Sequence, residues 1–551
     1  MWPLLALLPS VFCADVGTLH FEGTVTADGG DYFALPFTVP AGVVEVKIAH
    51  ADNSRENVLD FGLWRADGTW RGWGGGNGED IVVGTTAASR SYVAGPVEGD
   101  WELIVGKALI AESPAPYVVD ITFRDAPTIS EPERAPWADV TLATGPRWMK
   151  GDFHVHSRES GDSRAELPAV ADFARGRGLD FIVISDHNTI TQHTRFAAMQ
   201  AAYPDLLFVR GAEMTTYGGH GNALGVTTYT DHRVGFRGRT AAAIIDEIDA
   251  AGGVFIINHM RLAGGGSCIG CQWVHADTPW DKVRAVELAT GPYAFNEPFV
   301  VPGILDDVDA RMDEGATIAF VTGSDDHDAG GGNLEDMFYA PIGTPTTRVY
   351  AASLSEADVI AGVRAGRTVV NLRGPEDPVV DLTIQDLHGE DGGMVGDTIA
   401  ASAVRITAHV VGGTAPETTI RVVQDGRRLP AVAVDGADFT HEWLLAVPQD
   451  RARTRFRLEL EEHYDRVVVT SHAFATYEDG PGLPPPDGGG LDGGVDAIGP
   501  GADGGGGCGC QAGGAASAST RGGALGALLA ALALTSRAAR ARARRDRRPR
   551  A

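Results

Sequence analysis

The sequence predicts an α/β domain at the centre of the chain, flanked on each side by an all-β domain. Two contrasting patterns carry this expectation. Residues 15–145 and 376–476 run in short apolar stretches of period two, broken by Gly, Asp and Asn. Residues 148–375 instead alternate short apolar runs with stretches whose apolar residues recur at i, i+3 and i+4 and end at Gly. Such alternation argues for a mostly parallel sheet, either open or closed into a barrel.

Composition sets the outer bounds. At roughly 100–200 residues per domain, a chain of 551 residues holds about three or four domains. With 44% apolar and 21% charged residues it can bury a core, which excludes wholesale disorder. Its 73 acidic residues against 45 Lys and Arg leave a net charge of −28, so nucleic acid is not expected as a stable partner. Five Cys exclude a disulfide scaffold. No apolar run reaches the ~20 residues of a membrane span.

Residues 1–14, MWPLLALLPSVFCA, are apolar and give way to polar sequence at Asp15. They resemble a secretory signal peptide, cleaved after Cys13 or Ala14. Residues 15–145 follow with HFEGTV, YFALPFTV, VVEVKIAH, WELIVG and YVVDITF, expected as a jelly-roll-like β-sandwich in which His20 and His50 are ordinary strand residues.

In residues 148–375 the strand candidates are FIVIS, LLFVRG, VFIIN, AVELAT and ATIAFVTG. The helix candidates are ELPAVADFARGRG, TAAAIIDEIDAAGG and LSEADVIAGVRAG. Polar residues fall at strand ends. His154 and His156 sit two apart, so in a strand both imidazoles share a face. Other strand ends give Asp186-His187, Glu213 with His220 beyond it, Asn258-His259, and Asp325 through His327. In α/β folds the C-terminal strand ends build the site. Imidazole and carboxylate suit Zn, Mn or Fe, and there are more of them than one ion uses. Two or three divalent ions are therefore expected, with a carboxylate such as Glu213 bridging.

Residues 376–476, with VVDLTI, VRITAHVV, FRLELEEH and RVVVTSHAF, predict a second, immunoglobulin-like sandwich. Residues 477–507 are a Gly/Pro-rich linker: positions 478–507 hold 13 Gly and 5 Pro. Then come Gly-Cys-Gly-Cys at 507–510, a short apolar run, and eight Arg within 535–551. Residues 508–551 resemble a MYXO-CTERM-type sorting tail, which implies export, processing near Cys508 or Cys510, and display at the cell surface or outer membrane.

At DFHVHSRESGD, SDHN, IINH and GSDDH the central region resembles the polymerase-and-histidinol-phosphatase (PHP) phosphoesterases. EMTTYGGHGNALG, IGTPTTRVY and LSEADVIAGVRAGRTVVN have the look of its CehA/McbA-type branch. The resemblance implies a distorted (β/α)7 barrel with two or three metals. It implies that His154, His156, Glu213 and Asp325 bind one ion and that Glu213 bridges to a second, bound also by His259. Asp162, His187 and His327 would form a third site. For the remaining ligand of the second ion, His220 and Asn222 are both candidates, and His193 either faces the site or caps a helix.

Asp186 is expected to orient His187. Arg261 and Arg348 are candidate cations for charge that builds up in a reaction, and each reads at least as readily as a structural salt-bridge partner. Asp326 and Asp328 are either ligands or surface carboxylates. Cys268 and Cys271 read as a local disulfide. Together these point to metal-assisted hydrolysis of a phosphoester by a metal-activated water. The alternatives are a carbamate, ester or amide hydrolase with the same site, and an inactive surface binding protein. In any of these the β domains can bind glycan or protein.

Overall fold

The computed structural model describes residues 14–483, apart from 53–55, 131–133, 263–267, 335–338 and 414, together with 495–498. The expected signal peptide (but for its last residue), most of the linker and the whole sorting tail lie outside the described residues.

The first region forms two four-stranded antiparallel sheets. One runs Asp15–Val25, Ala115–Arg124, Glu45–Ala51, Ile81–Gly84; the other runs Tyr32–Val39, Gly99–Leu109, Val58–Arg65, Trp70–Gly75. Period-two sequence gives each sheet one apolar face. Ile48, Val119 and Ile121 of one sheet meet Leu63, Trp101 and Leu103 of the other in a single core.

The central sheet runs Ala319–Gly323, Ala285–Thr290, Val254–Ile257, Gly219–Leu224, Leu207–Thr216, Phe181–Ile184, Thr141–Val155, Thr346–Ser355, Thr368–Asn371. Its first and last parallel strands return to one another. Val155 bridges to Asp326, and the Ser324 amide donates to Asp152 Oδ1 at 3.1 Å. Strand alternation separates two cores. Phe181 and Val183 join Phe153, Leu207, Ile256 and Val321 inside the curled sheet. Ile182 and Ile184 instead pack outward with Val170 and Ala174 of helix Leu167–Gly176. Thr240 starts helix Ala241–Ala250 by accepting the Ala243 amide on its side chain.

Two expectations need correcting. The central sheet is mixed, not mostly parallel. A turn at Tyr217-Gly218, with Gly219 at φ +145°, folds Leu207–Thr216 back into Gly219–Leu224, which lies antiparallel to both its neighbours. The boundary expected at 145–148 falls inside the strand Thr141–Val155, which pairs along its length with Thr346–Ser355.

Beyond the central region, Val379–Asp386, Ala403–Val411 and Asp438–Ala446 form one sheet, and Thr418–Gln424, Thr454–Glu462 and Asp465–Thr470 belong to another. Trp443, Ile406, Val422 and Leu458 fill the core they share. The second of these sheets is hydrogen-bonded to the central one: Val369 pairs with Thr470, Val370 with Val469 and Asn371 with Val468. Buried Arg455 and Arg457 donate to Asp309 of helix Val301–Asp313 at 3.0 and 2.9 Å. Among the described residues no helix is long and apolar enough to cross a membrane.

Candidate metal centre

All nine expected metal-binding residues converge at one end of the curled sheet. His154 and His156 leave the strand Thr141–Val155 side by side. The Nε2 atoms of His154 and His156 lie 3.2 and 3.0 Å from Asp325 Oδ1. Glu213 is fully buried, and its two oxygens divide the imidazoles. Oε1 lies 3.2 Å from His154 and 3.4 Å from both His220 and His259; Oε2 lies 2.6 Å from His187 Nδ1 and 3.7 Å from His156. Asp162, at the exposed rim, lies 3.3 Å from the Nε2 atoms of both His187 and His327. Four overlapping groups among these side chains, one of which also takes in Cys271, bring their ligand atoms within 4.8 Å of one another.

Five of the six imidazoles are tied at one nitrogen and turned by the other toward the carboxylates; His187 meets Glu213 through Nδ1 and Asp162 through Nε2. His154 Nδ1 donates to Glu287 at 2.9 Å, and His156 Nδ1 lies 2.9 Å from Ser160 Oγ. His327 Nδ1 donates to the Asp325 carbonyl at 2.9 Å. His220 Nε2 and His259 Nδ1 donate to the carbonyls of Ile269 and Cys271 at 3.0 and 3.3 Å. Those carbonyls belong to one loop, closed by the Cys268–Cys271 disulfide. An outer hydrogen bond of this kind fixes the tautomer and frees the inner nitrogen as a ligand.

The electrostatics agree. Burial opposes charge on His154, yet Asp325, Glu287 and Glu213 hold its imidazole well above the usual range. Burial likewise opposes charge on Glu213, but His154, His187 and His220 hold it well below the usual carboxylate range. His156 goes the other way, pushed down to about 3 by burial and by His327 and His187. The buried Nε2 atoms of His154 and His156 have no hydrogen-bond partner. Orphaned imidazole nitrogens facing charged carboxylates fit a divalent cation, which would satisfy both at once.

Backbone strain gathers here too. His259 (φ 28°), Asp325 (φ 58°) and the neighbouring Asn188 (φ 51°) all occupy left-handed conformations. Gly323 is required for another reason: a Cβ there would lie 2.1 Å from that of His154.

Of the two candidates beside Glu213, His220 is the one turned to its carboxylate. Asn222 donates to the Phe153 carbonyl and accepts from Asn258. His193 is buried outside the centre, on the Gly211 carbonyl. Three expected roles need correction. Arg261 is held away in a bidentate pair with Asp307, at 2.6 and 2.7 Å. Arg348 donates to Asn371 and the Pro375 carbonyl on the flank of the sheet. Asp186 does not touch the His187 ring; it accepts the amides of Ser157 and Ser160 and the Ser157 hydroxyl. Its influence passes through Ser160, whose hydroxyl accepts the His187 amide. Asp326 accepts the amides of Asp328 and Gly330 and so shapes a turn.

Sequence reasoning missed Glu287, whose only signal is a carboxylate inside the apolar run AVELAT. It also missed Asp60, Arg90 and Tyr217, for which the sequence holds no signal. Tyr217 donates to Asp60 of the N-terminal region at 2.7 Å. Arg90 donates to the carbonyls of Arg158, Ser160, Gly161 and Ser163, the loop that carries Asp162.

The fold and site thus define a mixed α/β protein with clustered His, Glu and Asp side chains suited to divalent metal. No family model matches the chain, and no curated protein matches it. Among solved structures the chain is similar to a Bifidobacterium adolescentis protein provisionally assigned as a metal-dependent phosphoesterase. The identity is 15% and the TM-score 0.24, over 34% of this chain and 92% of that one. At this level of likeness the functional reading falls to the centre's own geometry.

Proposed function

We propose that the chain is an exported metal-dependent hydrolase of the PHP type, in its CehA/McbA-like branch, acting on a phosphoester. One observation carries the reading: imidazoles anchored at one nitrogen converge by the other on Glu213, Asp325 and Asp162. A purely structural cluster has no need of unpartnered inner nitrogens.

In this reading His154, His156 and Asp325 would hold one ion, His220 and His259 a second, and Glu213 would serve both. Asp162, His187 and His327 would hold a third. Bound divalent ions would polarise the phosphoryl group and supply a nucleophilic water near neutral pH. The chain's own residues set the stage for that chemistry. Glu287, Ser160 and the carbonyls of Ile269, Cys271 and Asp325 hold the outer nitrogens and so aim the inner ones at the carboxylates. Glu213, fully buried and held in its charged form, keeps the two halves of the centre in register. The sorting tail and linker would tether the enzyme to the cell surface.

The test is elemental analysis of the purified protein beside a His154→Ala/His156→Ala variant. Two or three Zn, Mn or Fe per chain, reduced in the variant, are expected. No bound metal after reloading with Mn²⁺ or Zn²⁺ would overturn the reading and leave a binding protein.

A further inference from the structure

The centre opens into a cavity of about 330 Å³, near the small end for ligand sites and room for about ten waters. One side of it is the centre itself. The other is built by the N-terminal region through Val58, Asp60 and Trp73. This wall is held close. An added Cβ at Gly106 would lie 2.1 Å from the Tyr217 hydroxyl, and one at Gly161 would lie 2.2 Å from the Gly74 carbonyl. Side chains larger than hydrogen at either position would push the wall off the centre. Arg90 and the Tyr217–Asp60 hydrogen bond complete the attachment.

Two features of the cavity bear on what it admits. Among the described residues lining it none is Lys or Arg, whereas Asp60, Asp162, Glu213 and Asp325 all line it. A phosphomonoester dianion is usually gripped by guanidinium or ammonium groups; here, beyond the ions and the carboxylates that would hold them, it would meet the Asp60 carboxylate. The second feature is Asp60. Its Oδ2 accepts from Tyr217, while Oδ1 has no hydrogen-bond partner among the described residues. A carboxylate oxygen at the wall of a small cavity, beside the apolar surface of Val58 and Trp73, is an acceptor awaiting a donor.

Building on the hydrolase reading above, we propose that the N-terminal region is the selecting wall of the centre. It admits small, singly charged phosphodiesters that carry an O–H or N–H donor, and Asp60 is the specificity-determining residue that receives this donor. Val58 and Trp73 take the apolar part of the same substituent.

The test uses the full-length, Mn²⁺-loaded protein and three probes: 3-hydroxypropyl 4-nitrophenyl phosphate, its 3-methoxypropyl counterpart, and 4-nitrophenyl phosphate. Nitrophenolate release is expected to favour the hydroxyl diester over the other two by about tenfold or more in kcat/KM. Asp60→Ala is expected to bring the hydroxyl-to-methoxy ratio to about one at unchanged metal content. Asp60→Asn, which keeps the shape and an acceptor for Tyr217 but turns an NH2 donor to the cavity, is likewise expected to lower the hydroxyl-to-methoxy ratio and covers the case in which the alanine variant fails to fold. An unchanged ratio in the folded variants, or a wild-type preference for the monoester, overturns the proposal. Should no probe be turned over, the hydrolase reading fails separately. Calorimetric binding of the two non-hydrolysable phosphonate analogues then reads the wall directly. A hydroxyl preference lost in Asp60→Ala supports the wall, and equal binding of both analogues overturns it.

Discussion

Glu287 and His154 share a hydrogen bond of 2.9 Å in which neither side chain is exposed to solvent. The same carboxylate accepts the His259 amide at 3.0 Å and the Thr290 hydroxyl at 2.6 Å. One side chain thus ties the His154 imidazole to the backbone that carries His259. Glu287→Gln keeps the shape and removes the charge that holds the His154 tautomer. Metal affinity is expected to fall about 10- to 100-fold, read by competition with a chelating dye. Unchanged affinity would show that Glu287 only fills space.

Arg90 reaches from the N-terminal region to four carbonyls of the loop that presents Asp162. Arg90→Ala is expected to loosen that loop and lower the metal count by about one per chain. The ions held by His154, His156, His220 and His259 should stay. Elemental analysis separates this from a general loss, which would instead empty every site together.

The disulfide loop bears on the other half of the centre, because Ile269 and Cys271 anchor His220 and His259. In Cys268→Ser/Cys271→Ser both carbonyls lose their covalent brace. Of the bound ions, the one nearest His220 and His259 is expected to weaken most, by about tenfold. Stepwise metal release during chelator titration would show one early step absent from wild type. Identical titration curves would leave the disulfide without a part in the site.

Two histidines away from the centre make stability depend on pH. Burial pushes His193 down to about 4 and His232 to about 3, against 6.5 in the unfolded chain. The folded protein keeps both neutral while the unfolded chain takes up protons below about pH 6.5. Their contribution is therefore complete above that pH and is lost as pH falls toward 4, on the order of 2 kcal/mol for each. Thermal unfolding should show Tm falling from pH 7 to pH 4.5, and falling less in a His193→Gln/His232→Gln variant. Parallel profiles for the two proteins would contradict this.

Legibility in the sequence followed distance along the chain. His154 and His156 were readable because period-two geometry is local, and strand ends such as Asp325 and His259 followed from the same logic. The hairpin that carries His220 was not, since an apolar run does not state the direction in which it pairs; only Gly218-Gly219 hinted at a reversal. Arg261 and Arg348 stayed open between site cation and structural partner because Asp307 and Asn371, which occupy them, become neighbours only through packing. Asp60 lies 157 residues from Tyr217, and no periodicity links them.

The strand pairing of Val369–Asn371 with Val468–Thr470 has a consequence for how the chain can be divided. A truncated chain ending near residue 375 would keep every metal-binding motif, yet it would strip the partner from Thr368–Asn371 and bare a row of unpaired amides and carbonyls. Such an edge recruits other chains. Truncation there would also leave Asp309 without Arg455 and Arg457. The central region therefore relies on the β region C-terminal to it to cover this edge, and that region is in effect an internal chaperone covalently attached to the fold that needs it.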